Sequence, residues 1–143
     1  MKVEPIKSLD HIAKILNLLE QNKKLKLLFV MSINNDVRIK DILSIKNKEV
    51  INFKSSCTAN LTKNKQEIVL TLNNEVKDSL NDYFNSIPVI PDHYLFQSRK
   101  GKNYPLTTHA VMVYVKEWCS AVNLTGNFGA GSLRKTYQFF KNV

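Results

Sequence analysis

The sequence predicts an α+β domain that is mainly α: a helical core carrying a small antiparallel β-sheet of two to three strands. Three observations set this class. Apolar residues recur at helical spacing over most of the chain. One window, residues 49–72, switches to alternation with β-branched content, as strands do. With 143 residues, 43% of them hydrophobic, and neither internal repeats nor low-complexity tracts, the chain reads as a single domain, 1–143. That length can bury a core without disulfide or metal staples.

The elements follow in order. From Ser8, an N-cap candidate, Ile12, Ile15, Leu16 and Leu19 form the stripe of a first helix. Leu25, Leu28, Phe29 and Ser32 share a face of a second, which the Asn34-Asn35-Asp36 cluster should end in a turn. Arg38 opens a short amphipathic run with Ile39, Ile42 and Leu43 on one side. The segments VINF, from Val50, and EIVLTL, from Glu67, have strand character, with Ile68, Leu70 and Leu72 on one face. The polar stretch SSCTANLTKNK between them reads as turn-rich. Helical spacing returns with Val76, Leu80, Tyr83 and Phe84. After the connection PVIPDHYLF it returns again with Val111, Tyr114, Val115, Trp118 and Val122, opened by a Thr107 or Thr108 cap. A loop from Gly126 to Gly131 leads into a last helix, Leu133 to Phe140.

Charge narrows the partner. Lys and Arg number 21 against 12 Asp and Glu, a net +9, and neutralising phosphates with such a surface releases condensed counterions. Nucleic acid is the favoured polyanion. A membrane surface is disfavoured because the lysines are spread along the chain and no helix gathers them opposite an apolar stripe. The charged N-terminus MKVEPIKSLDHIAKI offers neither a signal-peptide core nor a spanning segment, so a cytoplasmic location is expected. Cys57 and Cys119 lack CxxC spacing and adjacent His, and read as free thiols. No metal site or cofactor is expected. His11, His93 and His109 stand in no Ser, Cys or carboxylate arrangement that demands catalysis.

Four stretches, in order and spacing, resemble the catalytic domain of the tyrosine recombinase (phage integrase) family: VEPIKSLDHIAKI, LLFVMSINNDVRIKDILSIK, YLFQSRKGKNYPLT and NFGAGSLRKTYQF. The second is similar to the family's first arginine box, with Arg38 as its arginine, and the fourth to the second box, with Arg134. The resemblance implies site-specific DNA recombination by strand cleavage and rejoining, with double-stranded DNA and other recombinase protomers as partners. It also implies that the two arginines, far apart in sequence, meet in one basic concavity. The phosphorane-like transition state puts negative charge on two non-bridging oxygens, and the planar, always-charged guanidinium is suited to it. Asp41 is spaced to hold Arg38 in place. Lys40, Lys135 and the basic loop Arg99, Lys100 and Lys102 are candidates for contacts with DNA backbone.

The sequence departs from the family at three places. Where the second box carries His, this chain has Gly131, which brings no donor and no titratable group, a loss on the order of 10²-fold in such sites. The family's hairpin lysine aligns with Leu61, leaving Lys63 or Lys65 as substitutes, of which Lys63 is the candidate. The chain stops at Val143, soon after Arg134, and Tyr137, the tyrosine nearest that box, reads as a core aromatic at helical spacing with Phe140. The expectation is therefore a truncated integrase-like catalytic domain, able to grip DNA and inactive alone. The alternative is a non-catalytic DNA-binding or recombinase-regulating module.

Overall fold

A buried second helix organises the molecule. The computed structural model describes residues 2–98 and 102–142. Ser8 accepts from the His11 amide and opens α1 (Leu9–Leu18), which buries Ile12 and Ile15. Asn22 accepts from the Leu25 amide and opens α2 (Lys23–Ile33). Besides the expected stripe, α2 buries Leu27, Val30 and Met31, so it is enclosed on most sides. Its neighbours are α5 (Asn74–Ser86) and α7 (Gly131–Lys141). The Phe29 ring also meets Trp118 of α6 (Thr108–Ala121) edge-on, with centroids 5.7 Å apart. Of the two expected caps for α6, Thr107 is used, accepting from the Ala110 amide at 3.0 Å.

The small sheet is present, but only one of its expected strands is where the sequence placed it. VINF is not a strand: Val50 closes α4 (Asn47–Val50) and Phe53 opens a 3-10 turn, Phe53–Ser55. Val50 and Phe53 are both buried while Ile51 and Asn52 between them are exposed, a three-residue spacing that outweighs β-branched content. The first strand, β1 (Thr58–Lys63), lies instead inside the stretch read as turn, where Ala59 and Leu61 face inward and Asn60 and Thr62 outward. It pairs antiparallel with β2 (Gln66–Thr71), Leu61 opposite Ile68 and Lys63 opposite Gln66. The turn residues Asn64 and Lys65 both adopt positive φ (52° and 63°), the conformation that closes a two-residue hairpin with the right twist.

Two ties fix the segments that matter for function. Buried Asn35 accepts from the Thr71 amide (2.6 Å) and donates to the Met31 and Thr71 carbonyls, locking the exit of α2 to the end of β2. The N-terminal segment runs beside α7: the Ile6 amide donates to Thr136 Oγ1 (2.9 Å), and Asn127 donates to Glu4 Oε2 and the Lys2 carbonyl. Gly126, at φ 150°, allows this approach, since a Cβ there would stand 2.6 Å from Glu4 Oε2. Helix α7 begins at Gly131, two residues before the expected Leu133, and anchors through Ser132, Leu133 and Thr136.

Candidate functional site

Short helix α3 (Ile39–Leu43) is the rail on which the site is assembled; it packs against both α6 and α7. Buried Val37 pins the chain just before it, so Arg38, the N-cap residue, projects outward with its side chain 59% exposed. One turn on, Asp41 is buried, and its Oδ2 accepts from Arg38 Nε at 3.3 Å, the pairing expected from the spacing. Lys40 points elsewhere, into a cavity of about 310 Å³ that it shares with Leu43, Ser44, Tyr94, Pro105 and Thr107.

Arg134 comes from the other end of the chain. Leu133 and Thr136 are buried on α7, and Arg134 lies beside them on the half-exposed flank. Its Nε donates to Asp36 Oδ1 at 2.7 Å, across 98 residues of sequence. Gln138, one turn along α7, donates to the same oxygen at 3.0 Å. Asp36 lies in the short segment between α2 and α3 that also carries Arg38, so both arginines are anchored to one stretch of chain. The hydrogen bond from Arg134, then that from Gln138, hold the Asp36 carboxyl below its ordinary value. Sequence reasoning treated residues 34–36 only as a turn and missed this carboxylate; an acidic residue immediately ahead of the first box was the available signal.

Lys63 closes β1 beside the turn, and its ammonium donates to the Ser44 carbonyl (3.0 Å) and to Glu49 Oε1 (2.8 Å) in a half-buried pair. Ser44 is the C-cap of α3, so Lys63 and Arg38 hold opposite ends of the same short helix, roughly 9 Å apart along its axis at 1.5 Å per residue. Leu61 is fully buried and faces the core. Lys135 donates to the Val3 carbonyl at 2.8 Å. Lys102 is exposed in a loop whose base is fixed by the Gln97–Pro105 bridge beside the Lys40 cavity. Arg99 and Lys100 lie outside the described residues.

Tyr137 departs from its expected packing. It is half-buried rather than in the core, with the Lys141 ammonium 5.9 Å from its ring centroid, and Phe140 is the aromatic of this helix that packs against the core. The helical register explains the swap: Leu133 and Thr136 define the inward face, and Tyr137 falls to one side of it. Gly131 is exposed at the start of α7, and a Cβ there would stand 3.3 Å from Val3 Cγ2. Burial raises the Cys119 thiol to about 11, which keeps it protonated and unreactive.

A mainly helical body, one antiparallel hairpin and two arginine boxes converging on one segment are the architecture of a tyrosine recombinase catalytic domain. The Phage integrase family matches residues 7–139, and the chain belongs to that family. It is 30% identical over 144 positions to a Bacillus subtilis (strain 168) protein described as "Probable integrase/recombinase YoeC", covering 99% of this chain and 77% of that one. The crystal structure of XerA recombinase superposes with a TM-score of 0.80 at 13% identity, over 99% of this chain. The Tn1549 transposon integrase, solved with circular intermediate DNA, superposes with a TM-score of 0.68 at 13% identity, over 93% of this chain. The chain spans 52% of the length of each of these two solved chains. No helix among the described residues is long and apolar enough to cross a membrane.

Proposed function

We propose that this domain grips the backbone of duplex DNA, with Arg38 and Arg134 donating to one phosphodiester. Lys40, Lys102 and Lys135, with Arg99 and Lys100, neutralise neighbouring phosphates. The observation that carries this reading is the reach of Arg134, across 98 residues of sequence, to Asp36 on the segment that also carries Arg38, in a chain of net charge +9. The relationship to recombinases, one of them solved with DNA, supports the same partner. Lys63, paired with Glu49 at the far end of α3, is the candidate to donate a proton to the leaving oxygen.

Fluorescence anisotropy with a labelled duplex of arbitrary sequence tests this reading. Binding should be weak, tolerant of sequence and steeply lost as salt rises, because phosphate contacts carry it. Binding that is absent at low salt, or indifferent to salt, refutes it.

The 143-residue chain should not cleave DNA by itself. Gly131 supplies no proton-handling group at the second box, and Tyr137 extends from the same helix as Arg134, so its hydroxyl cannot readily come in line with a phosphate that Arg134 holds. A nicked, end-labelled substrate run on a denaturing gel should show no covalent protein band. A band that disappears in Tyr137→Phe would make Tyr137 the nucleophile. Binding without cleavage also fits the alternative role of a module that occupies DNA sites or pairs with other recombinase protomers, and Gly131 favours it.

A further inference from the structure

Asp36 is a carboxylate held by a guanidinium on the face where a phosphate is expected. Its side chain is 46% exposed, that of Arg134 is 38% exposed, and the two meet at 2.7 Å. Gln138 donates to the same Oδ1, so α7 offers this one oxygen a charged and a neutral donor, one helical turn apart. Such a pair of donors suits any small oxyanion. The companion arginine differs. Its carboxylate, Asp41, is buried at 7% exposure on the protein side of the guanidinium and sits on the same short helix. Asp41 can orient Arg38 without standing in a ligand's way. Asp36 is half-exposed and lies on the segment between α2 and α3.

We infer that Asp36 is a built-in competitor for the DNA phosphate, occupying Arg134 and Gln138 in the free protein and displaced from them when DNA binds. The inference rests on the reading of Arg134 as a phosphate ligand and adds its regulation. Binding at this arginine is then an exchange: one oxyanion leaves as another arrives, and the released carboxylate faces the incoming phosphate. The affinity contributed by Arg134 is held down by its own neighbour, and with it the non-specific affinity of the domain. The lowered pKa of Asp36 accords with a carboxylate kept charged by these donors.

The test is anisotropy of the full chain with a labelled duplex, comparing wild type with Asp36→Ala and with the isosteric Asp36→Asn, each checked for folding by circular dichroism. Asp36→Ala should tighten binding about 10-fold near 0.1 M salt and steepen the salt dependence by about one released ion. Asp36→Asn, which keeps an acceptor but loses the charge, should gain about 3-fold. In an Arg134→Ala background the gain should fall to about 2-fold, the residue of simple charge removal. Asp82→Asn, an exposed acid on α5, should change affinity less than 2-fold, as screened surface charges do. Weaker binding in Asp36→Ala would make Asp36 a positioning residue and overturn the inference, as would an equal gain with and without Arg134. Those outcomes leave the phosphate reading intact. If neither wild type nor Asp36→Ala binds DNA at low salt, the phosphate reading falls, and this inference falls with it.

Discussion

The two arginine–carboxylate pairs have the same chemistry and opposite characters. Arg38 and Asp41 are three residues apart on one short helix, and the carboxylate is 7% exposed. Arg134 and Asp36 are 98 residues apart, and the carboxylate is 46% exposed. The first pair forms wherever α3 forms. The second exists only when α7 is docked against α2 and Asn35 holds the connecting segment to β2. The shorter contact, 2.7 Å against 3.3 Å, belongs to the pair that water and ligands can reach. A short distance is therefore no sign of permanence. Burial of the acid decides whether a pair is scaffold or latch, because only an exposed acid can be exchanged for another anion at little desolvation cost.

The largest expected effect separates the pairs by removing what seats one of them. Leu133→Ala, at a fully buried position of α7, should cost about 2–5 kcal/mol in urea unfolding, as large-to-small core changes do. It should loosen the Arg134 latch while leaving the Arg38 pair, which is local, in place. Hydrogen exchange at the amides of α7 and α3 distinguishes the two responses: faster in α7, little changed in α3.

A middle-sized effect sets the arginines against each other in DNA binding. Arg38→Ala should weaken binding about 10-fold and Arg134→Ala about 3-fold, because Arg38 gives up no exposed partner when it meets a phosphate. Equal losses in a salt-matched anisotropy titration would erase the distinction between scaffold and latch.

The smallest effect is one of pH. Asp36 has its carboxyl lowered from 3.8, chiefly by the Arg134 hydrogen bond, then by Gln138, with Lys141 adding a favourable charge. A depressed carboxylate stabilises the fold above its unfolded value, and that contribution fades as pH falls through the lower folded value. Wild type and Asp36→Asn should thus differ by a constant amount from about pH 5 upward and converge below 3.8, as followed by thermal melts. Convergence on the alkaline side instead would assign the pair's strength to another group.

Much of this was legible in the sequence, and what was missed has a physical pattern. The cap at Ser8 and the stripes of α1, α5 and α6 follow from the sequence pattern, because a helix is specified by residues three and four apart, whereas the choice of Thr107 over Thr108 as the cap of α6 came only with the structure. VINF misled because β-branched residues suit a strand, yet Val50 and Phe53 obey a turn spacing once packed. The strand at Thr58–Lys63 was hidden by its polar outer face, with only Ala59 and Leu61 to mark the inner one. At the candidate site, the pairing of Asp41 with Arg38 was legible from their three-residue spacing. Asp36 and Glu49 were not, since their partners, Arg134 and Lys63, are brought to them by the tertiary fold. Asn35 was read as a turn residue, although its amide clamps a strand.

The ties between the N-terminal segment and α7 bear on the order in which the molecule comes together. Ile6 with Thr136, Val3 with Lys135 and Lys2 with Asn127 are 130, 132 and 125 residues apart in sequence. Contacts of such span are slow to form, because the entropy of closing the loop between them must be lost first. Closing so long a loop costs little more at equilibrium than closing a shorter one, about 0.6 kcal/mol per doubling of length, so the delay is kinetic rather than a weakness of the finished state. In a chain emerging from the ribosome, Arg38 precedes Arg134 by 96 residues. A half-made domain can therefore hold Arg38 and Asp41 paired while Arg134 waits for α7 to dock, so the two arginine–carboxylate pairs are completed in separate steps.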